Sequence, residues 1–201
     1  FLVPHLGAGR IQVGDVRALV EGRHLEGAAR ARRGLLEDEG DVAAGEAALL
    51  AALGQASPGD TVLLHGSCHN PTGVDPSPAL WRAIGDVVEE RRLLPLVDFA
   101  YQGFGHGIRE DADWMEGLLR PGAELLISTS FSKNFALYNE RVGALLVVAR
   151  SEADAAAAQS NVKIAIRSNY SNPPSHGADI VSTILGDQAL RAQWEVELAG
   201  M

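Results

Sequence analysis

The sequence predicts an α/β fold, with a mostly parallel sheet covered by helices on both faces. Three observations support this class. Short apolar runs of strand length alternate with segments of helical periodicity along most of the chain. Polar residues cluster directly after several of these runs, as they do at the strand ends of such sheets. The composition, 46% hydrophobic and 21% charged, is that of a globular protein.

The alternation begins near residue 41. A helix-favouring run over 43–53 ends at Gly54, a suitable C-cap, and a turn over 57–60 leads into a buried strand pattern at 61–65. The following segments are predicted as a helix at 78–92, a strand at 93–97 ending at Asp98, a helix at 111–119, strands at 124–128 and 142–148, and helices at 151–166, 177–185 and 187–199. Residues 1–40 are rich in Gly, Arg and Ala with weak periodicity, and no element is predicted there.

Composition excludes several classes of protein. The 201 residues include 17 basic and 26 acidic side chains, a net charge of −9, which argues against general nucleic-acid binding. No apolar run approaches the roughly 18 residues of a membrane span. The single Cys68 excludes a disulfide framework, and the histidines beside it lack a second ligand cluster at zinc spacing, so no metal is predicted. Because the chain is acidic, has one cysteine and shows no visible presequence, we expect a cytoplasmic protein. We also expect a fragment, since the chain starts at Phe1 and stops straight after a helical pattern.

The polar residues after the first two strand patterns are candidate site residues. Asn70 lies in a loop after the first, where Asn-Pro-Thr-Gly is also an ordinary turn sequence. Asp98 follows four apolar residues at the edge of the predicted core, where a carboxylate must be paired. It is either an N-cap or salt-bridge residue, or an acid that faces a cationic ligand atom. Tyr101, three residues on, offers a phenol to the same place.

The segment after the third strand pattern carries an amine, a hydroxyl and a guanidinium that are candidate site groups. Only two lysines occur, Lys133 and Lys163, and Lys163 falls inside a predicted helix. A desolvated lysine retains more neutral amine, the form that attacks carbonyls, although Lys133 could equally be an exposed turn residue. Ser130 lies three residues before it. Arg141, eight residues after it, suits a phosphate or a surface ion pair with Glu140 or Asp154.

Taken together, four segments in fixed order resemble the aspartate/aromatic branch of the class I aminotransferases, which are pyridoxal-phosphate enzymes of the aspartate aminotransferase fold (fold type I). The segments are His-Asn-Pro-Thr-Gly at 69–73, Asp-Phe-Ala-Tyr-Gln-Gly-Phe at 98–104, Ser-Phe-Ser-Lys-Asn-Phe at 130–135 running into Leu-Tyr-Asn-Glu-Arg-Val-Gly at 137–143, and Ile-Arg-Ser-Asn-Tyr-Ser-Asn-Pro-Pro at 166–174. The resemblance covers residues 41–201.

The resemblance implies a role for each candidate. Lys133 matches the lysine that binds pyridoxal 5'-phosphate covalently and later moves the proton between the substrate Cα and the cofactor. Asp98 matches the acid that pairs with the pyridine nitrogen. Asn70 and Tyr101 match the residues that bind the ring's phenolic oxygen, and Asn70 also matches a residue that contacts the substrate. Ser130 and Arg141 match phosphate ligands. Arg167 matches the arginine that binds the distal carboxylate of a dicarboxylic substrate.

The implied protein is a homodimer in which Arg167 reaches the neighbouring subunit's site. It transfers an amino group between an L-amino acid, aspartate or glutamate first, and a 2-oxo acid. An aromatic-amino-acid aminotransferase and a truncated cofactor-binding remnant without turnover remain alternatives. We expect residues 41–201 to be an incomplete large domain that binds the cofactor, residues 1–40 to be unlike the family, and the C-terminal small domain to be absent.

Overall fold

The computed structural model describes residues 42–201, so segment 1–40 and its expected boundary lie outside the described residues. Four strands form one sheet in the order β1 (Thr61–His65), β2 (Leu94–Phe99), β3 (Leu125–Ser130) and β4 (Gly143–Val148). β1, β2 and β3 are parallel, and β4 pairs with β3 in the antiparallel sense. The predicted mostly parallel sheet is confirmed. The helices are α1 (Val42–Gly54), α2 (Pro78–Arg91), α3 (Met115–Leu118), α4 (Glu152–Tyr170), α5 (His176–Gly186) and α6 (Gln188–Ala199).

The core lies on one face of the sheet. Buried and half-buried residues alternate along β1, β2 and β3, because successive side chains of a strand point to opposite faces. The buried set packs against α1, α2 and the segment before α3, where the Trp114 ring meets the Phe99 ring edge-on at 5.4 Å. The opposite face stays half-buried, and it carries His65, Asp98 and Ser130 near the ends of their strands.

Two strands run further than the sequence predicts. β2 includes Asp98 and Phe99, and β3 continues to Ser130. Asp98 therefore lies inside a strand, paired in register with His65 of β1, and not after a strand or at a helix N-cap. The apolar run ended at Val97 in the sequence, whereas the ladder with β3 extends the strand by two residues.

The predicted helix over 111–119 is wrong as a single element. The structure has a 3-10 turn at Glu110–Ala112 and one α-helical turn, α3. The reason is the Asp111 carboxylate, which accepts hydrogen bonds from backbone amides of the preceding loop. This contact ties the turn to that loop, so a continuous helix does not form through it.

α4 is longer than predicted and reaches Tyr170. Its start is as expected, with the Ser151 hydroxyl accepting from the Asp154 amide at 3.1 Å. A proline restricts the residue before it, so Pro173 acts on Asn172 and leaves the helix free to continue past residue 166. Arg167, one residue past the predicted end of this helix, thus lies within α4. Among residues 42–201, no helix is both long and apolar enough to span a membrane.

α2 and α3 cross closely because both carry a glycine at the crossing. A Cβ on Gly85 would fall far inside van der Waals contact with the Gly117 carbonyl oxygen. The contact is reinforced by Arg120, which donates from Nε to the Gly117 carbonyl at 3.0 Å and from Nη2 to the Arg82 carbonyl at 2.8 Å. The backbone oxygen cannot move without shifting α3 itself.

We expect Gly85→Ala to lower the free energy of unfolding by about 1–3 kcal/mol, because the added methyl group overpacks this crossing. Chemical denaturation followed by circular dichroism measures the change. Gly186→Ala is the matched control, since a Cβ at Gly186 meets no atom within 4 Å. Equal stability of the two variants would contradict the tight crossing.

Candidate active site

Parallel pairing brings three loops to one edge of the sheet. The carboxyl ends of β1, β2 and β3 lie side by side, and ligands of such sheets bind just beyond them. These loops are 66–75, 100–107 and 131–142. Of the seven residues proposed from the sequence, four lie in these loops and two lie at the ends of the strands that precede them.

Asn70 and Tyr101 meet across the first two loops. The Asn70 Nδ2 donates to the Tyr101 Oη at 3.1 Å, although 31 residues separate them in sequence. Asn70 is exposed and Tyr101 is half-buried, so both polar groups face the open side of this edge. The pair can donate hydrogen bonds to an oxygen atom of a ligand.

Lys133 joins this pair from the third loop. Its Nζ lies 4.3 Å from the centroid of the Tyr101 ring, a cation–π contact. The lysine is half-buried, which agrees with partial desolvation and not with an exposed turn residue. Lys163, the other lysine, is exposed on α4. The structure thus separates the two amines by environment.

Asp98 supplies the anion of the site. It is half-buried near the carboxyl end of β2, and its Oδ1 accepts from the Ala100 amide at 3.2 Å. No ion pair among residues 42–201 involves Asp98, so the salt-bridge alternative finds no partner in that range. A carboxylate at the edge of the core without a cationic side chain is suited to a cationic ligand atom.

Ser130 and Arg141 occupy the same end of the β3–β4 hairpin. Ser130 pairs with Gly143 in register, and the Phe131 amide donates to the Val142 carbonyl at 3.1 Å, which holds Arg141 beside the end of β3. Arg141 is exposed, with a left-handed φ of 52°, and its Nη1 donates to the Tyr138 carbonyl at 3.0 Å. No ion pair to Glu140 or Asp154 forms in the described chain, so this guanidinium retains donors for an anion.

Arg167 is not brought to the other candidates within one chain. It is exposed on α4, and its Nη1 donates to the Ser171 hydroxyl. Its place in a site with Lys133 therefore stays a prediction that requires a second chain.

The structure also shows residues that sequence reasoning missed. Asn134, only 2% exposed, donates from Nδ2 to the Gln102 carbonyl at 3.2 Å, and its own carbonyl accepts from the Trp194 Nε1 at 2.6 Å. These bonds fix the residue after Lys133 to the residue after Tyr101. The Asn beside the lysine was visible in the sequence, but its partners lie 32 and 60 residues away and leave no local pattern.

The assembled groups are an anion, an amine, a phenol–amide pair, a hydroxyl and a guanidinium. This set suits a ligand that combines a basic ring nitrogen, a carbonyl carbon, a ring oxygen and a phosphate. Among residues 42–201, no group of three or more His, Cys, Asp or Glu side chains is placed to hold a metal ion.

Comparison with known proteins gives consistent matches. The family model described as aminotransferase class I and II matches residues 25–201. The chain is 53% identical over 154 residues to an aspartate aminotransferase of Salmonella typhi, and 48% identical over 154 residues to an aromatic-amino-acid aminotransferase of Pseudomonas aeruginosa. Each match covers 77% of this chain and 39% of the relative. The chain therefore spans about two fifths of the length of these relatives.

Solved structures agree with these relatives. An aromatic amino acid aminotransferase from Burkholderia cenocepacia matches with a TM-score of 0.75 at 50% identity. An aromatic-amino-acid aminotransferase from Burkholderia pseudomallei, covalently bound to pyridoxal phosphate, matches with a TM-score of 0.75 at 47% identity. Both comparisons cover 77% of this chain and 39% of the other.

Proposed function

This chain belongs to the class I and II aminotransferases, and we propose that it transfers an amino group between an L-amino acid and a 2-oxo acid with pyridoxal 5'-phosphate bound at Lys133. The observation that carries the proposal is the convergence of Lys133, Tyr101 and Asn70 from three different loops. The relatives include a structure covalently bound to this cofactor. Because the chain covers about two fifths of its relatives, the activity is a proposal for the protein to which it contributes.

The residues present fit pyridoxal phosphate by the chemistry of their donor set. Asp98, unpaired with any described cation, would face the ring nitrogen. Asn70 and Tyr101 would donate to the ring oxygen, and Ser130 with Arg141 would bind the phosphate. Lys133, half-buried beside Tyr101, would bind the cofactor through Nζ.

When bound, the cofactor supplies an electron sink that stabilises negative charge at the substrate Cα. The protein then has three tasks. Asp98 keeps a proton on the ring nitrogen, because a nearby carboxylate favours the charged form of a base. The Lys133 Nζ, a primary amine, would take a proton from the substrate Cα as general base and return a proton as general acid. Asn70 and Tyr101 would orient the cofactor ring beside the Lys133 Nζ, which lies over the Tyr101 ring.

The substrate class has two candidates. We propose dicarboxylic amino acids first, since Arg167 offers a guanidinium for a distal carboxylate and relatives of 53% and 51% identity are named aspartate aminotransferases. Aromatic amino acids are the second candidate, supported by relatives and solved structures named for that activity. A relative from Oryza sativa is named as cytoplasmic, and we propose the same location here.

A second copy of the chain completes this proposal. α4 has nineteen residues and none is buried, although it carries apolar side chains, with Ile164 61% exposed. Arg167 lies three residues after Ile164, on the same helix face. A partner subunit packed on this face would cover Ile164 and receive Arg167 in its own site.

Binding of the cofactor is tested by visible spectroscopy. Mixed with pyridoxal phosphate, the wild-type chain should develop a visible absorption band that Lys133→Ala lacks, because only an amine beside Tyr101 and Asn70 binds the ring in place. Lys163→Ala is the matched control and should keep the band, since Lys163 is exposed on α4. A band that is absent in the wild type, or equal in all three proteins, would refute the assignment.

Addition of amino acid separates the remaining alternatives. Conversion of the band by aspartate faster than by phenylalanine supports the dicarboxylate preference, and the reverse order supports the aromatic alternative. A Lys133-dependent band that neither amino acid converts supports the remnant that binds cofactor without turnover.

The proposed dimer is tested by sedimentation. The wild-type chain should sediment as a dimer and the Ile164→Glu variant as a monomer, because dimer formation would bury the new carboxylate without a partner. Val196→Glu is the control, since Val196 is 75% exposed on α6 and lies on a different helix. A monomeric wild type, or a variant as dimeric as the control, would contradict the α4 interface.

A further inference from the structure

The loop that carries Asn70 is anchored by a carboxylate from its own far end. Asp75 Oδ2 accepts from the Cys68 amide at 2.7 Å, and Asp75 Oδ1 accepts from the His69 amide at 2.8 Å. Both amides immediately precede Asn70 in the chain. The two bonds therefore fix the backbone from which the Asn70 side chain projects, and Cys68 is held there at a positive φ of 50°.

The loop that carries Tyr101 is anchored in the same manner. Asp111 Oδ2 accepts from the Gly103 amide at 2.8 Å and the Gly105 amide at 3.0 Å, and Asp111 Oδ1 accepts from the His106 amide at 2.7 Å. Asp111 is only 6% exposed and joins no ion pair among the described residues. Three converging N–H dipoles stabilise this buried charge, so the carboxylate and the loop require each other.

The two anchors act on the two loops that the Asn70–Tyr101 hydrogen bond joins. Burial raises the pKa of the Cys68 thiol, and the carboxylates of Asp111 and Asp75 raise it further. Asp75 also accepts from the Cys68 amide, so this carboxylate contacts the residue two positions before Asn70 directly. The Asn70–Tyr101 hydrogen bond, which joins the two loops, depends on the backbone position of each.

We propose that Asp75 and Asp111 are positioning residues that hold Asn70 and Tyr101 in the geometry needed at the cofactor's ring oxygen. The proposal rests on the proposed function for that oxygen. Neither carboxylate contacts Lys133, Asn70 or Tyr101 side chains in the described hydrogen bonds, and each acts through two or three backbone amides.

This role predicts a measurable change in proton affinity. Hydrogen-bond donors at the ring oxygen disperse the negative charge of that oxygen. The dispersed charge then attracts the proton on the Lys133 nitrogen that carries the cofactor less strongly. Weaker donors therefore raise the pKa of that nitrogen. The pH at which the visible band of the bound cofactor changes reports this pKa, and a change that leaves the donors in place would not move it.

The test uses Asp75→Asn and Asp111→Asn in the cofactor-loaded chain. An amide has one acceptor oxygen and turns an NH2 donor towards a backbone N–H, so each variant loosens its loop. We expect the midpoint pH of the visible band to rise by about half to one pH unit in each variant. Asp113→Asn, an exposed residue two positions from Asp111, is the charge-matched control and should keep the wild-type midpoint.

Double variants assign the route of the effect. In a Tyr101→Phe background, Asp111→Asn should add no further shift, and in an Asn70→Ala background Asp75→Asn should add none. Midpoints that stay at the wild-type value in both single variants, or shifts that persist undiminished in the double variants, would overturn the positioning role. Asp75 is exposed, so Asp75→Asn carries the test if the buried Asp111 variant does not fold.

A cofactor-free measurement separates this inference from the proposed function. Amide hydrogen exchange should accelerate at Cys68 and His69 in Asp75→Asn, and at Gly103, Gly105 and His106 in Asp111→Asn, with no change in Asp113→Asn. Unchanged exchange in both loops overturns the anchors whatever the spectrum shows. If exchange accelerates in the two variants but the wild-type chain forms no Lys133-dependent band, the proposed function is refuted and the two anchors still hold.

Discussion

The parallel alignment of β1, β2 and β3 brings six of the seven candidate site residues to one edge of the sheet, and Arg167 is the exception. Parallel strands end at the same edge of a sheet, so their following loops must meet there. The register then selects the face. Because side chains alternate, Asp98 and Ser130 project from the half-buried face while Val97, Phe99 and Ile127 fill the core on the other. The site and the core are thus two consequences of the same ladder.

Contacts between loops convert this shared edge into a defined site. The Asn70–Tyr101 bond joins the first two loops, and the Asn134–Gln102 bond joins the second and third. Trp194 of α6 stabilises the third loop from outside: its indole N–H donates to the Asn134 carbonyl, and its ring stacks on the Phe135 ring at 4.4 Å. Lys133 directly precedes Asn134 and Phe135, which are fixed in this way, and its amine lies against the Tyr101 ring. Preorganisation of this kind lowers the entropic cost of placing an amine at a reacting carbon.

Much of this arrangement could be predicted from the sequence, because local patterns specify it. Apolar runs located all four strands, and the residues at their ends supplied Asn70, Asp98, Tyr101, Ser130 and Lys133. The failures have a common physical cause. Periodicity predicts a helix over 111–119, but the buried Asp111 carboxylate accepts hydrogen bonds from three amides of the preceding loop, and these bonds override that preference. Asp75, Asn134 and Trp194 escaped notice for the same reason, since their partners are set by loop geometry. Arg167 was found by motif alone, and its proposed role stays a prediction that requires a second chain.

Of the two lysines, Lys133 is the one that we propose binds the cofactor. Borohydride makes a bond between an amine and an aldehyde permanent, so reduction of the chain loaded with pyridoxal phosphate, followed by digestion and mass spectrometry, locates the labelled residue. The geometry predicts a label on Lys133, whose amine is half-buried against Tyr101. A label mainly on Lys163 or on the amino terminus, or no stable label, would contradict the claim.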